Sequence, residues 1–432
     1  MRKTETLTLS PGIALDYIPT DDYKNASFAV GFKYKVKRDR SSADMMLARL
    51  LFRTSADYPT HASFSRRLEE LYSTDVSVQS MRIADFRVAL FQTTYLDEPY
   101  VHAIPDFTHA VLSFVAGAIL RPALDRNGRF PLDAIAQEKT ALLDQIRSIK
   151  NSKPAYAYMR LAEITRDPRL YDVPDYGTEE EIEAITAETL HLRYVDMLSR
   201  SEIRFVYAGT LPIDTVAGYI RKLFSSILTP RRPLSGKISF PHRAAHRPIL
   251  REIEKTDGEQ AILGLSYRLP IGLGDPGTER LTMLSAVLSD APMSLLFSEV
   301  REKSGYCYSI RSAVRLSNRN LFIFCGIEPG CERSVERAVS RVLTTVRTGK
   351  TDPALLMAAL SYLRMTVASV WENVDAAANY VLMRRLFDRP IDPDELIELC
   401  GKVTESTLAD LMKRVRPDAV YLLTPKGGDR CG

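Results

Sequence analysis

The chain has 432 residues, of which 45% are hydrophobic and 26% charged, and its formal net charge at pH 7 is +4. A chain of this length exceeds one hydrophobic core, so two or three domains are expected. The small net charge, without a block of Lys and Arg, argues against a nucleic acid or an anionic membrane surface as partner, and no apolar run is long enough to predict a membrane span.

The first half of the chain mixes the periodicities of strands and helices. Alternating apolar and polar residues predict strands at residues 13–18, 27–32, 76–80, 86–95 and 203–208. Helical spacing predicts helices at residues 43–52, 63–72, 102–118, 132–152 and 179–199, with Ser63 as the N-cap of the second.

The second half repeats this order of elements. Strands are predicted at residues 261–267, 306–313, 320–327 and 420–422, and helices at residues 280–288, 293–303 and 332–346. The clearest echo is ITAETL at residues 185–190 against VTESTL at residues 403–408. The repeat period is too long for a solenoid, so it predicts two duplicated α+β domains, each an antiparallel sheet with a helical layer. The boundaries are placed at residues 1–227 and 249–432, joined by a linker at 228–248 that is rich in Pro and Arg.

One stretch of the second domain carries candidate chemistry. Residues 293–303 predict a helix that stops at Gly305, and a strand begins directly afterwards. Arg301 then lies on the last turn of the helix and Tyr308 on the strand, facing away from Cys307 and Ser309. Such a pair can converge on one carbonyl oxygen. The alternative is a solvated helix end beside a half-buried strand.

Two other motifs are weaker. Residues 272–277 match GxGxxG, but Pro276 removes an amide that would face a pyrophosphate, so a turn between a strand and a helix is preferred. His242 and His246 have the spacing of a zinc-binding helical pair. They have no glutamate between them, and Pro241 and Pro248 leave little room for a helix, so we interpret both as linker residues.

The cysteines and the N-terminal segment bear on the cellular compartment. The five cysteines lie far apart without a CxxC motif, which favours reduced thiols over a disulfide framework. The first residues, MRKTETLTLS, lack the apolar region of a signal peptide. Both observations predict a cytoplasmic protein.

The duplication together with REKSGYCY at residues 301–308 resembles the M16 family of peptidases, which includes pitrilysin, insulinase and the mitochondrial processing peptidase. The resemblance extends over essentially the whole chain and implies two α/β-roll domains of the LuxS/MPP-like metallohydrolase type. In that family an REKxGxxY-type segment supplies an Arg and a Tyr that hold the scissile region of the substrate. On that pattern the pair here is Arg301 and Tyr308.

The family's zinc site should lie in the first helix as an inverted HxxEH motif, in which two His side chains share one face and the Glu is the general base. With the LLF end of ADMMLARLLF as anchor, the motif positions fall on Met45, Ala48 and Arg49. Both histidines and the glutamate are missing, and no other alignment recovers them because the first histidine of the chain is His61. Glu138 resembles the family's third zinc ligand, but we interpret it as an ordinary Glu on a helix surface.

The resemblance therefore implies a zinc-less bacterial M16 homologue that holds no metal or cofactor itself. Such chains pair with an HxxEH-bearing sister, so the expected function is a non-catalytic, substrate-binding subunit that supplies Arg301 and Tyr308. The zinc would be held by the sister chain, and the substrate would be a peptide or small protein. Two alternatives remain open, a scaffold without a part in proteolysis and a zinc enzyme that uses His242 and His246.

Overall fold

A computed structural model of the protein describes residues 4–35, 41–83, 86–166, 177–232, 234, 243–272, 275–387 and 393–426. The chain forms two compact units, and each unit contains one β-sheet. The first unit comprises Met1–Ile146, Val173–Gly236 and Ser369–Pro390. The second comprises Arg147–Asp172, Lys237–Ala368 and Ile391–Gly432. Each half of the sequence thus contributes one segment to the unit formed mainly by the other half. The predicted boundaries at residues 227 and 249 separate the two sequence repeats, and they do not coincide with the limits of these units.

The first unit contains a six-stranded sheet, sheet A, in the order β1-β2-β6-β3-β5-β4. Neighbouring strands are antiparallel except β2 and β6, which run parallel. The strands are β1 (Glu5–Ser10), β2 (Ile13–Pro19), β3 (Asn25–Lys35), β4 (Asp75–Ile83), β5 (Phe86–Leu96) and β6 (Glu202–Gly209).

The second unit contains a five-stranded sheet, sheet B, in the order β7-β11-β8-β10-β9. Here β7 and β11 form the single parallel pair. The strands are β7 (Leu250–Thr256), β8 (Ala261–Arg268), β9 (Cys307–Arg315), β10 (Asn320–Ile327) and β11 (Arg416–Pro425). The two sheets share one strand order apart from β1, which confirms the predicted α+β duplication. The sequence predicted an antiparallel sheet in each domain, and this is wrong for one pair of strands in each sheet, β2 with β6 and β7 with β11, which run parallel.

Helices connect and cover the strands. In the first half they are α1 (Ser41–Leu51), α2 (His61–Glu70), α3 (Phe107–Leu120), α4 (Leu132–Asn151), α5 (Lys153–Ile164), α6 (Glu179–Glu183), α7 (Ala187–Arg200) and α8 (Ile213–Leu223). In the second half they are α9 (Thr278–Ser285), α10 (Glu332–Arg347), α11 (Pro353–Val370), α12 (Val374–Leu386), α13 (Pro393–Cys400) and α14 (Glu405–Arg414). Two π-helical segments, Ala286–Asp290 and Phe297–Glu302, follow α9.

Hydroxyl side chains begin several of these helices. The repeated ITAETL and VTESTL segments are helix starts, because the Thr186 and Thr404 side chains accept hydrogen bonds from the first-turn amides of α7 and α14. Helix α2 starts earlier than predicted. Its N-cap is Thr60, and Ser63 is the third helical residue and completes a capping box.

One helix from the opposite half of the sequence packs on each sheet. Helix α12 packs on β3 and β6 of sheet A, and α5 packs on β8 and β11 of sheet B. Both approach the sheet at a glycine of the equivalent strand. A Cβ at Gly31 would lie 3.0 Å from Leu386 Cδ1, and a Cβ at Gly264 would lie 3.2 Å from Leu161 Cδ2. The two glycines therefore permit the close contact between helix and sheet in each unit.

We expect Gly31→Val to lower the free energy of unfolding by about 1–3 kcal/mol, because the added side chain overlaps the Leu382 and Leu386 methyl groups. Urea-induced unfolding measures the change. Gly218→Val is the matched control, since no atom lies within 4 Å of a Cβ at Gly218. Equal destabilisation by both variants would show that α12 does not approach the sheet closely at Gly31.

Within the described part of the chain one helix, α11, is long and apolar enough by length and composition to cross a membrane. Its mean hydropathy is 1.4 over 18 residues. A single helix of this kind is weak evidence, because helices of soluble proteins pass the same test.

Candidate functional site

Helix α1 holds the positions at which the zinc motif was expected. Met46, Leu47 and Ala48 are buried in the core of the first unit, whereas Met45 and Arg49 are partly exposed. Met45 and Arg49 are four residues apart, so they lie on one side of the helix. The two positions that hold zinc in a HxxEH helix thus carry a thioether and a guanidinium.

A buried ion pair fixes the start of α1. The Arg193 Nε atom lies 2.6 Å from Asp44 Oδ1, and the side chains of both residues are almost fully buried. The Arg193 guanidinium also lies 5.5 Å from the centre of the Tyr34 ring. Burial raises the pKa of Tyr34, and the neighbouring Asp44 carboxylate raises it further. Tyr34 is therefore neutral, and Asp44 is the anionic anchor for the helix.

Glu138 is the partner of Arg49. The Arg49 Nε atom lies 2.8 Å from Glu138 Oε2, and the Arg53 guanidinium binds the other carboxylate oxygen. The Glu138 side chain is only 5% exposed. The prediction of an ordinary surface Glu is therefore wrong, because α4 turns Glu138 inward, toward two arginines of the segment that carries α1.

These residues do not fit a zinc ion. The Glu138 carboxylate is bound by two guanidinium groups, and the motif positions supply no imidazole. Among the described residues, no group of three or more His, Cys, Asp or Glu side chains is arranged to hold a metal ion. Arg49 and Arg53 provide the positive charge beside Glu138.

Arg301 lies at the end of the second π-helical segment. This segment takes the place of the predicted α-helix, and the amide of Lys303 donates to the Ser298 carbonyl, five residues back. Gly305 follows with a φ of 65°, the left-handed conformation expected of a glycine stop. The Arg301 guanidinium lies 4.8 Å from the centre of the Phe297 ring and is exposed to solvent.

Tyr308 lies on β9, an edge strand of sheet B. The register with β10 shifts here, so that Ser309 pairs with Gly326 and Cys307 pairs with Ile327. Tyr308 is the extra residue of a β-bulge, and Tyr308 and Ser309 are both exposed. Cys307 is buried, so the alternation predicted over Cys307, Tyr308 and Ser309 is interrupted at the bulge. The Tyr308 side chain is 57% exposed.

The structure keeps Arg301 and Tyr308 in one exposed segment of the second unit, without a hydrogen bond between them among the described residues. Cys307 lies between them in sequence, and the charge of Arg301 affects its pKa. A hydrogen bond with Cys325 lowers the pKa of Cys307, burial opposes this, and the charge of Arg301 lowers the pKa further. Because both side chains are exposed, the Arg301 guanidinium and the Tyr308 hydroxyl can each donate a hydrogen bond to a ligand.

The alternative motifs have structural roles. His242 lies outside the described residues. His246 Nδ1 lies 3.0 Å from Asp418 Oδ1, and its backbone amide donates to the same oxygen. Gly272 and Asp275 form the expected turn before α9, in which the Gly272 amide donates to the Asp275 carboxylate. Leu273 and Gly274 lie outside the described residues.

The prediction of reduced cysteines is wrong for one residue. Cys331 is disulfide-bonded, whereas Cys307, Cys325 and Cys400 are free and buried. Cys431 lies outside the described residues.

The family model described as the Peptidase M16 inactive domain matches residues 184–359. The chain is 22% identical over 417 residues to the Probable inactive metalloprotease YmfF of Bacillus subtilis. This match covers 95% of this chain and 96% of that protein. The chain is thus similar to M16 peptidases, and the predicted resemblance to that family is confirmed. This family was predicted from the duplication and from residues 301–308, and both matches carry the description inactive.

Two solved structures show the same M16 fold. A conserved protein of Enterococcus faecalis superposes with a TM-score of 0.89 at 22% identity, over 99% of this chain and 100% of that chain. A peptidase M16 inactive domain from Pseudomonas fluorescens gives a TM-score of 0.80 at 14% identity, over the same shares. The predicted fold, in which two similar units are repeated, is thus confirmed.

Proposed function

We propose that this M16 homologue is the non-catalytic, substrate-binding subunit of a two-chain zinc peptidase. The observation that carries the proposal is the pairing of Glu138 with Arg49 and Arg53, which fills the place of the zinc motif with positive side chains. Zinc is then held by a sister chain with an HxxEH motif, and this chain contributes Arg301 and Tyr308.

The proposed role of the pair is electrostatic. A guanidinium and a phenol donate hydrogen bonds to the carbonyl oxygen on which negative charge develops during peptide hydrolysis, which is a major source of rate enhancement. The edge strand β9 supports this role, because an extended peptide can pair with an open sheet edge. A substrate strand bound there would pass beside the exposed Tyr308 side chain.

The experiment is reconstitution with the HxxEH sister chain. We expect Arg301→Ala or Tyr308→Phe to lower the peptidase activity of the complex by about tenfold or more, the scale of losing one oxyanion donor. Lys303→Ala and Tyr306→Phe are matched controls, because both side chains are exposed in the same segment and neither is assigned a role. Co-purification with the sister shows that each variant still assembles.

Other outcomes separate the alternatives. Full activity of the sister chain alone would favour a scaffold without a part in proteolysis. Unchanged activity in both the Arg301 and the Tyr308 variants would remove their proposed role. Stoichiometric zinc in the purified chain would contradict the proposal, because it would place a metal site in this subunit.

A further inference from the structure

The two sheets can be matched residue by residue through their registers. Leu15 of β2 pairs with Phe205 of β6, which pairs with Val30 of β3. In sheet B the same positions are Ile253 of β7, Leu422 of β11 and Leu263 of β8. Val30 and Leu263 each directly precede Gly31 and Gly264, the glycines at which α12 and α5 approach the sheets.

The matched positions differ greatly in burial. Leu15 has no exposed surface, whereas Ile253 is 67% exposed. Both are branched apolar side chains in the strand that forms the parallel pair. Burying a side chain of this size stabilises a protein by about 1.5–3 kcal/mol, so an exposed Ile at a core position marks a face that something else can cover.

Helix α8 covers this face in the first unit. Its Val216, Ala217 and Ile220 side chains are buried in the same core cluster as Leu15. At its end, the Phe224 ring lies 5.0 Å from the Phe205 ring, measured between centroids. Tyr219 contacts His109 of α3 edge to face. Helix α8 is therefore packed between the sheet and α3.

Among the described residues of the second unit, which end at Lys426 after β11, no helix occupies this place. A groove of about 810 Å³ lies there instead, between β7, β11 and α10, and a second cavity of about 380 Å³ adjoins it. We call this space the β7 groove. Its floor is apolar and is formed by Ile253, Leu263 and Leu422.

The walls of the β7 groove carry charge. Arg251 of β7 binds Glu336 of α10 through two hydrogen bonds of 2.9 and 2.8 Å, so these two charges are paired. Arg333 and Arg337 lie one turn apart on α10 and are both exposed. Neither forms an ion pair with another described residue. Glu252 and Glu332 also line the groove, and the Arg337 guanidinium donates to the Arg333 carbonyl and the Ser334 hydroxyl of its own helix. The groove thus offers an apolar floor beside two exposed guanidinium groups that carry no ion pair with a described residue.

We propose that the β7 groove binds an amphipathic helix of another protein, in the position that α8 occupies in the first unit. One face of this helix carries small and branched apolar residues at the spacing of Val216, Ala217 and Ile220. Its flank carries Asp or Glu, which pair with Arg333 and Arg337. This surface is separate from the segment that contains Arg301 and Tyr308, and the proposal does not depend on their role.

The test uses a helical peptide of defined sequence and the full chain. The peptide repeats residues 213–224 with Arg221→Glu and Lys222→Glu, is held helical by a hydrocarbon staple, and carries a fluorophore. We expect saturable binding by fluorescence anisotropy. The Ile253→Asp variant should weaken the affinity by at least about tenfold, because it places a charge on the apolar floor.

Two controls define the site. Leu132→Asp changes an apolar side chain that is 75% exposed in the other unit, and it should leave the affinity unchanged. Arg333→Glu combined with Arg337→Glu should lower the affinity for the acidic peptide by about tenfold. The same double variant should raise the affinity for the peptide that keeps the natural Arg221 and Lys222. Circular dichroism confirms that each variant is folded.

The proposal is overturned if the wild-type chain shows no saturable binding, or if Ile253→Asp binds the peptide as tightly as the wild type. It is also overturned if sedimentation shows a dimer of the chain that Ile253→Asp dissociates. In that case the groove is covered by a second copy rather than by a different protein.

Discussion

Replacing Asp418 by Ala should lower the free energy of unfolding by about 3–5 kcal/mol, the cost of removing one partner from a buried ion pair. Asp418 has no exposed surface, and its Oδ2 atom lies 2.8 Å from both the Arg243 and the Arg268 guanidinium groups. Its other oxygen accepts from the His246 amide. The variant leaves Arg268 buried without its carboxylate, which is the main cost.

The same change should loosen α5. Arg243 and Arg268 also donate to the carbonyl of Thr165, the residue that ends α5, so Asp418 orients the groups that hold this end of the helix. Urea unfolding measures the stability, and hydrogen exchange of residues 153–164 measures the local effect. Asp410→Ala is the control, because its pair with Lys413 is exposed and should contribute less than about 1 kcal/mol. Equal losses in the two variants would contradict the assignment, and Asp418→Asn replaces Asp418→Ala if the latter does not fold.

The second prediction concerns the positions of α1 at which the zinc motif was expected. Met45→His with Arg49→His places two imidazoles on the side of α1 that faces Glu138, yet we expect this double variant to bind zinc weakly. Arg53 still neutralises the Glu138 carboxylate in that variant. Adding Arg53→Met should raise the zinc affinity by about 10–100-fold, the range seen when groups that tune a ligand are changed.

Competition with a chromogenic zinc chelator measures this affinity. The matched control adds Arg67→Met to the double variant, because Arg67 pairs with exposed Glu70 on α2 and does not contact Glu138. Equal zinc affinity with and without Arg53 would show that the guanidinium does not block the carboxylate. Measurable zinc in the unaltered chain would contradict the interpretation of the whole site.

Periodicity and repeats were sufficient to predict the duplicated units, the strands beside Gly31 and Gly264, and the helix that contains Met45 and Arg49. The buried Glu138 was missed although a signal was present. Ile135, Leu142 and Ile146 are buried on the same side of α4, so Glu138 falls within an inward-facing stripe. A lone carboxylate on that stripe implies a buried cation, but its identity depends on residues about 85 positions away that only the fold brings near.

The remaining differences also have physical causes. Helix α5 was not predicted. Pro154 lies in its first turn, where proline is tolerated. The bulge at Tyr308 and the π-helical turn before it each depend on one displaced hydrogen bond, which side-chain periodicity does not encode.

The exchange of α5 and α12 has a consequence for biosynthesis. Sheet A is complete once β6 has left the ribosome, but the helix that packs on it is encoded in Ser369–Pro390, after most of the second unit. At a translation rate of about 5–20 residues per second, helix α12 is synthesised on the order of ten seconds or more after β6. The nascent chain therefore exposes the Gly31 face of β3 during translation. A chain truncated before Ser369 would lack α12, so this face of sheet A would stay exposed.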